Sequence, residues 1–222
     1  MSSTTHHLTD ETLQDYAAGA LEVPMETLVA CHLTLCAHCR DRSAFADSVG
    51  GALLDGNDPV APVEASARDV LARSPADDGR RTKLDGIGAS TPSVAGVPLP
   101  LARLLPTTLD ALDWRRVAPG IRQFNLGTLH RRHGAFKLLH LAPGATLSEH
   151  GHNDRELTYV VRGSYTDEMG RFGPGDIADL DGNDEHRPVV DSGEPCIALI
   201  ASQSPVRFSG MLGRIMQPFV GI

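Results

Sequence analysis

The chain has 222 residues, with 20 Lys+Arg against 28 Asp+Glu and a formal charge of −8. At 41% hydrophobic and 22% charged residues, the composition is that of a globular protein with room for one large domain or two small ones. No apolar run approaches the roughly 18 residues needed to span a bilayer, and the opening MSSTTHHLTDE lacks a basic-then-apolar leader, so the expected compartment is the cytoplasm.

The charge is uneven. Residues 1–60 hold nine acids and two Arg, a net of −7, whereas residues 61–222 hold 19 acids and 18 bases, a net of −1. Such an acidic segment repels phosphates and opposes direct nucleic-acid contact. It suits a basic protein partner, or it is simply a solvated face.

Thr9 reads as the N-cap of a first helix, with Asp10 and Glu11 in its first turn and Leu13, Tyr16, Ala17 and Ala20 on its apolar face. Gly19 weakens its end. Pro24 fits the first turn of a second helix running through Cys39, with Leu28 and Leu35 facing inward. A third helix is expected over about 43–54, with Phe45, Val49, Ala52 and Leu53 as its apolar face. Helices this short carry little core, which a metal staple would supplement.

The second helix holds His32-x3-Cys36-x2-Cys39. At 100° per residue the three side chains fall within an arc of roughly 60°. Three soft or borderline donors on one stripe suit a tetrahedral zinc site once a fourth arrives. His6 and His7 stand 25 residues upstream, and spacing does not separate them. Cys31 and His38 lie off the stripe, as core filler and surface, although Cys31 could be an oxidation partner for Cys36.

From about residue 55 to 98 the composition shifts to Pro, Ala, Asp, Ser and Gly. One helical island, Val63–Arg73, interrupts what reads as linker. From Leu99 onward short β-like runs recur: 121–126, 135–141, 157–161, 177–180, 196–201 and 207–212. Turns such as Ala142-Pro143-Gly144 and Gly173-Pro174-Gly175 separate them, a texture of sandwich or barrel. Cys196 reads as barrel core, Trp114 as packing on the barrel, and Arg131-Arg132-His133 as a hairpin tip.

Within this region His150-x-His152-x3-Glu156-x6-Gly163 follows Gly144, and His186 comes thirty residues after Glu156. Histidines two apart share one strand face. With Glu156 they form a mixed nitrogen/oxygen set able to hold zinc, iron, manganese or nickel. The block resembles the first signature of the cupin superfamily almost residue for residue. The second signature departs from it, since Gly182 precedes His186 by four positions and position 190 is Val.

The two constellations in this order resemble one family, the zinc-binding cytoplasmic anti-sigma factors of the ChrR type. The carriers are His6-His7 before Leu-Thr-Asp-Glu-Thr-Leu-Gln-Asp-Tyr-Ala-Ala-Gly, the His32/Cys36/Cys39-Arg40 segment, the cupin block, and the ending Leu212…Gln217-Pro218-Phe219. The resemblance implies a multidomain α + β architecture. A zinc-stapled helical domain (1–80) would be joined by a linker (81–98) to an all-β, jelly-roll cupin-like sensor domain (99–222). It implies zinc on His7, His32, Cys36 and Cys39, His7 being the histidine just before the Leu-Thr-Asp start. It implies a second metal, zinc being the expected one, on His150, His152, Glu156 and His186. The implied partner is an extracytoplasmic-function (ECF) sigma factor, sequestered until singlet oxygen or an organic hydroperoxide is sensed through the cupin domain. The implied role is not enzymatic. The alternative is a metal-dependent cupin dioxygenase or isomerase with an accessory zinc domain.

Overall fold

The computed structural model of the chain describes residues 4–58, 69, 72, 96–128, 134–151, 154–182, 184–204 and 207–208. Outside the described residues lie nearly all of the expected helical island, the linker to residue 95, the 131–133 tip, His152 and the 212–219 ending.

Helix α1 (Asp10–Ala17) starts at Thr9, whose hydroxyl accepts the Thr12 N–H at 3.2 Å. Asp10 and Glu11 sit where the helix dipole favours acids. The helix stops before Gly19, which takes φ 64, a conformation costly for any residue with a Cβ.

The long second helix expected from the spacing is in fact two. Helix α2 (Val23–Leu33) carries Pro24 in its first turn and ends at Thr34, and α3 (Ala37–Asp55) begins three residues later. The break has local causes. The Thr34 and Leu35 N–H groups turn back to the Cys31 and His32 carbonyls at 3.2 and 3.1 Å, tightening the last turn. The Thr34 hydroxyl also donates to the Cys31 carbonyl at 2.7 Å. Cys36 then adopts extended backbone, and its sulfur accepts the Cys39 N–H at 3.4 Å, making it the N-cap of α3. The helix expected over 43–54 is the later part of α3.

One further expectation is corrected, and one left open is decided. Leu35 lies in the α2–α3 turn and is 57% exposed, not inward-facing. The apolar stripe of α3 points away from the body of the protein, with Phe45 at 71% and Leu53 at 70% exposure. The helical core comes instead from Leu8, Leu13, Met25, Leu28, Val29, Cys31 and Cys39.

A short helix α4 (Leu99–Ala102) and a 3₁₀ turn (Leu109–Ala111) lead into twelve strands among the described residues. These are β1 (Arg115–Ala118), β2 (Ile121–Thr128), β3 (Ala135–Leu141), β4 (His150–Gly151), β5 (Glu156–Arg162) and β6 (Tyr165–Asp167). They continue with β7 (Gly170–Phe172), β8 (Ile177–Leu180), β9 (Glu185–His186), β10 (Val189–Val190), β11 (Cys196–Ser202) and β12 (Arg207–Phe208). A six-stranded sheet runs β1-β2-β3-β11-β5-β8, with three-stranded sheets β10-β6-β7 and β12-β4-β9 beside it. Neighbours pair antiparallel; β1 and β2 are joined by a tight turn at Pro119-Gly120, whereas β3–β11, β11–β5 and β5–β8 pair strands distant in the chain.

The central strands are buried on both faces. Along β11, Cys196 and Ile200 join the inner cluster with Leu139, Leu141 and Val160. Ile197, Leu199 and Ala201 point the other way, into one continuous cluster with Leu138, Leu157, Tyr159 and the helical residues Leu13, Met25 and Leu28. Helix α2 lies across β5 and β11, and α4 lies against α2. The helical part therefore borrows the outer face of the barrel sheet as half of its core. Each fully buried Leu there is worth about 1.5–3 kcal/mol of transfer free energy.

Candidate metal centres

His7, His32, Cys36 and Cys39 converge at the point where the N-terminal arm, the end of α2 and the start of α3 meet. Their four donor atoms all lie within 4.8 Å of one another. His32 Nε2 is 3.3 Å from Cys39 Sγ, and His7 Nδ1 is 3.3 Å from Cys36 Sγ and 3.8 Å from Cys39 Sγ. A tetrahedral zinc with bonds of about 2.0 Å to N and 2.3 Å to S separates its donors by roughly 3.5–3.8 Å, so the set fits zinc. The one-stripe geometry expected from a single helix is replaced by a turn. Capping α3 with Cys36 swings its sulfur toward His7.

The electrostatics also favour a cation. Burial lowers the His32 pKa, and its Nδ1–H donates to the Gly175 carbonyl at 2.9 Å. A carbonyl only accepts, so the proton is fixed on Nδ1 and Nε2 offers its lone pair to the cluster. Burial, then the nearby His38, lowers the His7 pKa. Without a cation, burial pushes the Cys39 thiol up to about 11. A divalent ion replaces that buried proton and stabilises the thiolate. His6 is not in the cluster; its ring stacks on Phe172 with centroids 3.8 Å apart. Cys31 and Cys196 are fully buried, and burial raises each thiol to about 12, the behaviour of inert core residues. His38 is exposed.

The second cluster lies between the sheets. His150 from β4, Glu156 from β5 and His186 from β9 are all buried, with one donor atom each within 4.8 Å of the others. The Ser148 carbonyl takes the Nδ1–H of His150 at 2.8 Å, and the Asp167 carboxylate takes that of His186 at 2.9 Å. Both Nε2 lone pairs therefore face each other across 3.1 Å. A cation relieves that repulsion. A proton is a poor one, because burial and the neighbouring His186 pull the His150 pKa down to about 4. Glu156 is wholly enclosed, and burial pushes its carboxyl up to about 7. A metal held by two imidazoles and this carboxylate would neutralise the buried charge. His152 lies outside the described residues.

Sequence reasoning missed four residues around this cluster. Asp167 orients His186, Thr158 donates to Glu156 at 3.4 Å, Tyr165 lines the cavity, and the buried Lys137 donates to Gln123 at 3.4 Å. Burial lowers the Lys137 pKa and the charge of Glu156 opposes that. The available signal was a lone Lys inside the apolar run Ala135–Leu141. The cavity itself is about 40 Å³ and is walled by Leu139, Leu141, Ala198 and Ile200.

Fold and sites together define a helical unit with a His/Cys cluster fit for a metal, built onto a cupin-like β domain. The model of the ChrR cupin-like domain matches residues 104–205. The anti-sigma-E factor ChrR of Cereibacter sphaeroides is 37% identical over 217 residues, 98% of each chain. The crystal structure of Rhodobacter sphaeroides SigE in complex with the anti-sigma ChrR matches 90% of this chain and 100% of the matched chain, at a TM-score of 0.72 and 36% identity. The chain belongs to the ChrR family of anti-sigma factors.

Proposed function

We propose that this protein is a cytoplasmic regulator rather than an enzyme. It captures an ECF-type sigma factor, keeps it from RNA polymerase, and releases it on an oxidative signal, singlet oxygen or an organic hydroperoxide, received through the cupin part. The observation that carries the reading is the likeness to the anti-sigma-E factor ChrR over 98% of both chains.

The surface supports capture. Helices α1 and α3 frame a groove of about 720 Å³ floored by Leu13, Ala17, Phe45, Val49 and Leu53. Exposed apolar side chains in a contiguous row mark an interaction site rather than ordinary surface. A partner helix laid in the groove would bury them. The acidity of residues 1–60 would steer a basic sigma surface toward it.

In this reading His7, His32, Cys36 and Cys39 hold zinc, and His150, His152, Glu156 and His186 hold the cupin metal. The first ion supplies a staple that fixes the α2–α3 turn against the N-terminal arm and so shapes the groove. The cupin cavity of about 40 Å³ admits a few water-sized molecules, not an organic substrate, which weighs against the cupin-enzyme alternative. In the helical site, oxidation of either thiolate would release the ion, since oxidised sulfur is a poor zinc ligand.

A run-off transcription assay tests the proposal. Adding the metal-loaded protein to an ECF-type sigma factor before core polymerase should abolish sigma-dependent transcripts, and hydroperoxide should restore them. Undiminished transcription at a molar excess of the protein over every sigma factor offered would overturn the proposal.

A further inference from the structure

The helical metal site has an outer wall, and the wall belongs to the other half of the molecule. Between β7 and β8 the turn Gly173-Pro174-Gly175-Asp176 reaches under the α2–α3 junction. The Gly175 carbonyl accepts the His32 Nδ1–H at 2.9 Å. Asp176 Oδ1 accepts the Thr5 N–H at 2.6 Å and the His6 N–H at 3.1 Å. Its Oδ2 accepts the Thr5 hydroxyl at 3.3 Å and the turn's own Gly173 N–H at 2.9 Å. Farther along β8, Asp179 accepts the Thr9 N–H and hydroxyl at 2.9 and 2.8 Å. His7 is thus strung between residues tied to β8 and its turn, and Leu8 beside it is 1% exposed.

The fit is close. Gly175 has φ +95, and a Cβ there would stand 3.1 Å from both Leu35 Cδ1 and Thr4 Cγ2. Burial alone would raise the Asp176 carboxyl, yet the N–H groups of Gly173, His6 and Thr5 hold it below the usual carboxylate range. That carboxylate is built to receive the arm. The His6 ring stacks on Phe172, which stacks on Tyr165 with centroids 4.9 Å apart. Tyr165 in turn lines the cavity of His150, Glu156 and His186.

We infer that Gly175 and Asp176 of the cupin turn are positioning residues for the helical metal site: they orient His32 and place the His7 arm, so the grip on the metal depends on the docked cupin part. This rests on the zinc reading above and deepens it by naming what regulates the site. Metal ligands held by an outer hydrogen-bond partner lose affinity when that partner goes, by about 10–100-fold. A change in the cupin part that withdrew the turn would release both imidazoles together.

The test uses the full chain loaded with Co²⁺, whose thiolate-to-cobalt charge-transfer absorption reports the Cys36/Cys39 site alone. Its decay is followed after adding excess EDTA. Asp176→Ala should lose the band about tenfold faster than the wild type. Thr5→Pro removes both the N–H and the hydroxyl that the exposed Thr5 donates to Asp176, leaves the cupin sequence untouched, and should accelerate decay in the same direction. Thr5→Pro decides the matter should Asp176→Ala not fold. Arg162→Ala, which breaks only the Arg162–Asp110 pair on another face, should decay at the wild-type rate. A wild type with the band and an Asp176→Ala variant that folds but decays at its rate would overturn this inference alone, as would equal acceleration in Arg162→Ala. A wild type that never shows the band would overturn the zinc reading and this inference with it.

Discussion

Cys36 has two roles that a single substitution separates from bulk packing. Its sulfur caps α3 and faces His7, so Cys36→Ser keeps a capping oxygen yet removes a soft donor. Cys36→Ser and Cys39→Ser should each lose the helical-site metal, measured as one fewer zinc per chain by elemental analysis. Retention of that zinc would contradict the ligand set. Gly163 offers a purely structural contrast. It takes φ +70 between β5 and β6, and a Cβ there would lie 2.3 Å from the Pro195 carbonyl oxygen. Gly163→Ala combines left-handed strain with overpacking, for a loss of about 2–5 kcal/mol in urea unfolding. A shift under about 0.5 kcal/mol would show that the turn relaxes freely.

His32, Cys36 and Cys39, like His150 and Glu156, stood out at the residue scale because soft or chelating donors at short spacing have few other uses, whereas His7, 25 residues from His32, was singled out over His6 only by the family resemblance. Asp167, Thr158 and Tyr165 did not stand out, since a polar residue on a strand reveals its partner only once registers are set. Nor did the Gly175 carbonyl, because a backbone acceptor has no sequence signature.

At the level of elements, β-texture was the easier reading. Residues 135–141, which end just before Pro143-Gly144, and 177–180, which follow Pro174-Gly175, are strands with those limits. Helix periodicity misled between residues 33 and 37. The hydrophobic spacing runs on through the junction, but Thr34 and Cys36 prefer side-chain-to-backbone bonds that end one helix and cap the next. The same periodicity placed Phe45, Val49 and Leu53 correctly on one face of α3 and could not say whether that face met the core or a partner. Replacing Phe45 and Leu53 together by Ser tests which. Both are about 70% exposed, so stability should move by no more than about 0.5 kcal/mol for each. Sigma-factor affinity should fall at least about tenfold, read by fluorescence anisotropy. Unchanged affinity would move the docking surface elsewhere.

For the whole molecule, the helical unit and the β unit expected from the sequence are both present, and among the described residues they share one buried cluster. That union escaped sequence reading because α2 is apolar nearly all round, a pattern that signals burial without saying against what. Salt bridges reinforce it: Arg155 reaches Glu11 and Asp15 of α1 at 2.7 Å each. The partly exposed setting keeps each pair to about 1 kcal/mol or less. The division of labour still predicts separable effects. His150→Ala or Glu156→Ala should leave sigma capture within about twofold, since neither touches the groove, while abolishing hydroperoxide-triggered release in the transcription assay. Loss of capture in those variants would mean that the cupin metal supports the groove directly.

The claim on which the account turns is that the helical metal shapes a clasp for a sigma factor. Its most direct measurement is a binding titration of a labelled ECF-type sigma factor with two preparations of the same protein, one zinc-loaded and one stripped by chelator under reducing conditions. Saturable one-to-one binding to the loaded form, at least about tenfold tighter than to the stripped form and restored by added zinc, is the predicted result. Equal binding by both preparations, or binding by neither, would contradict it.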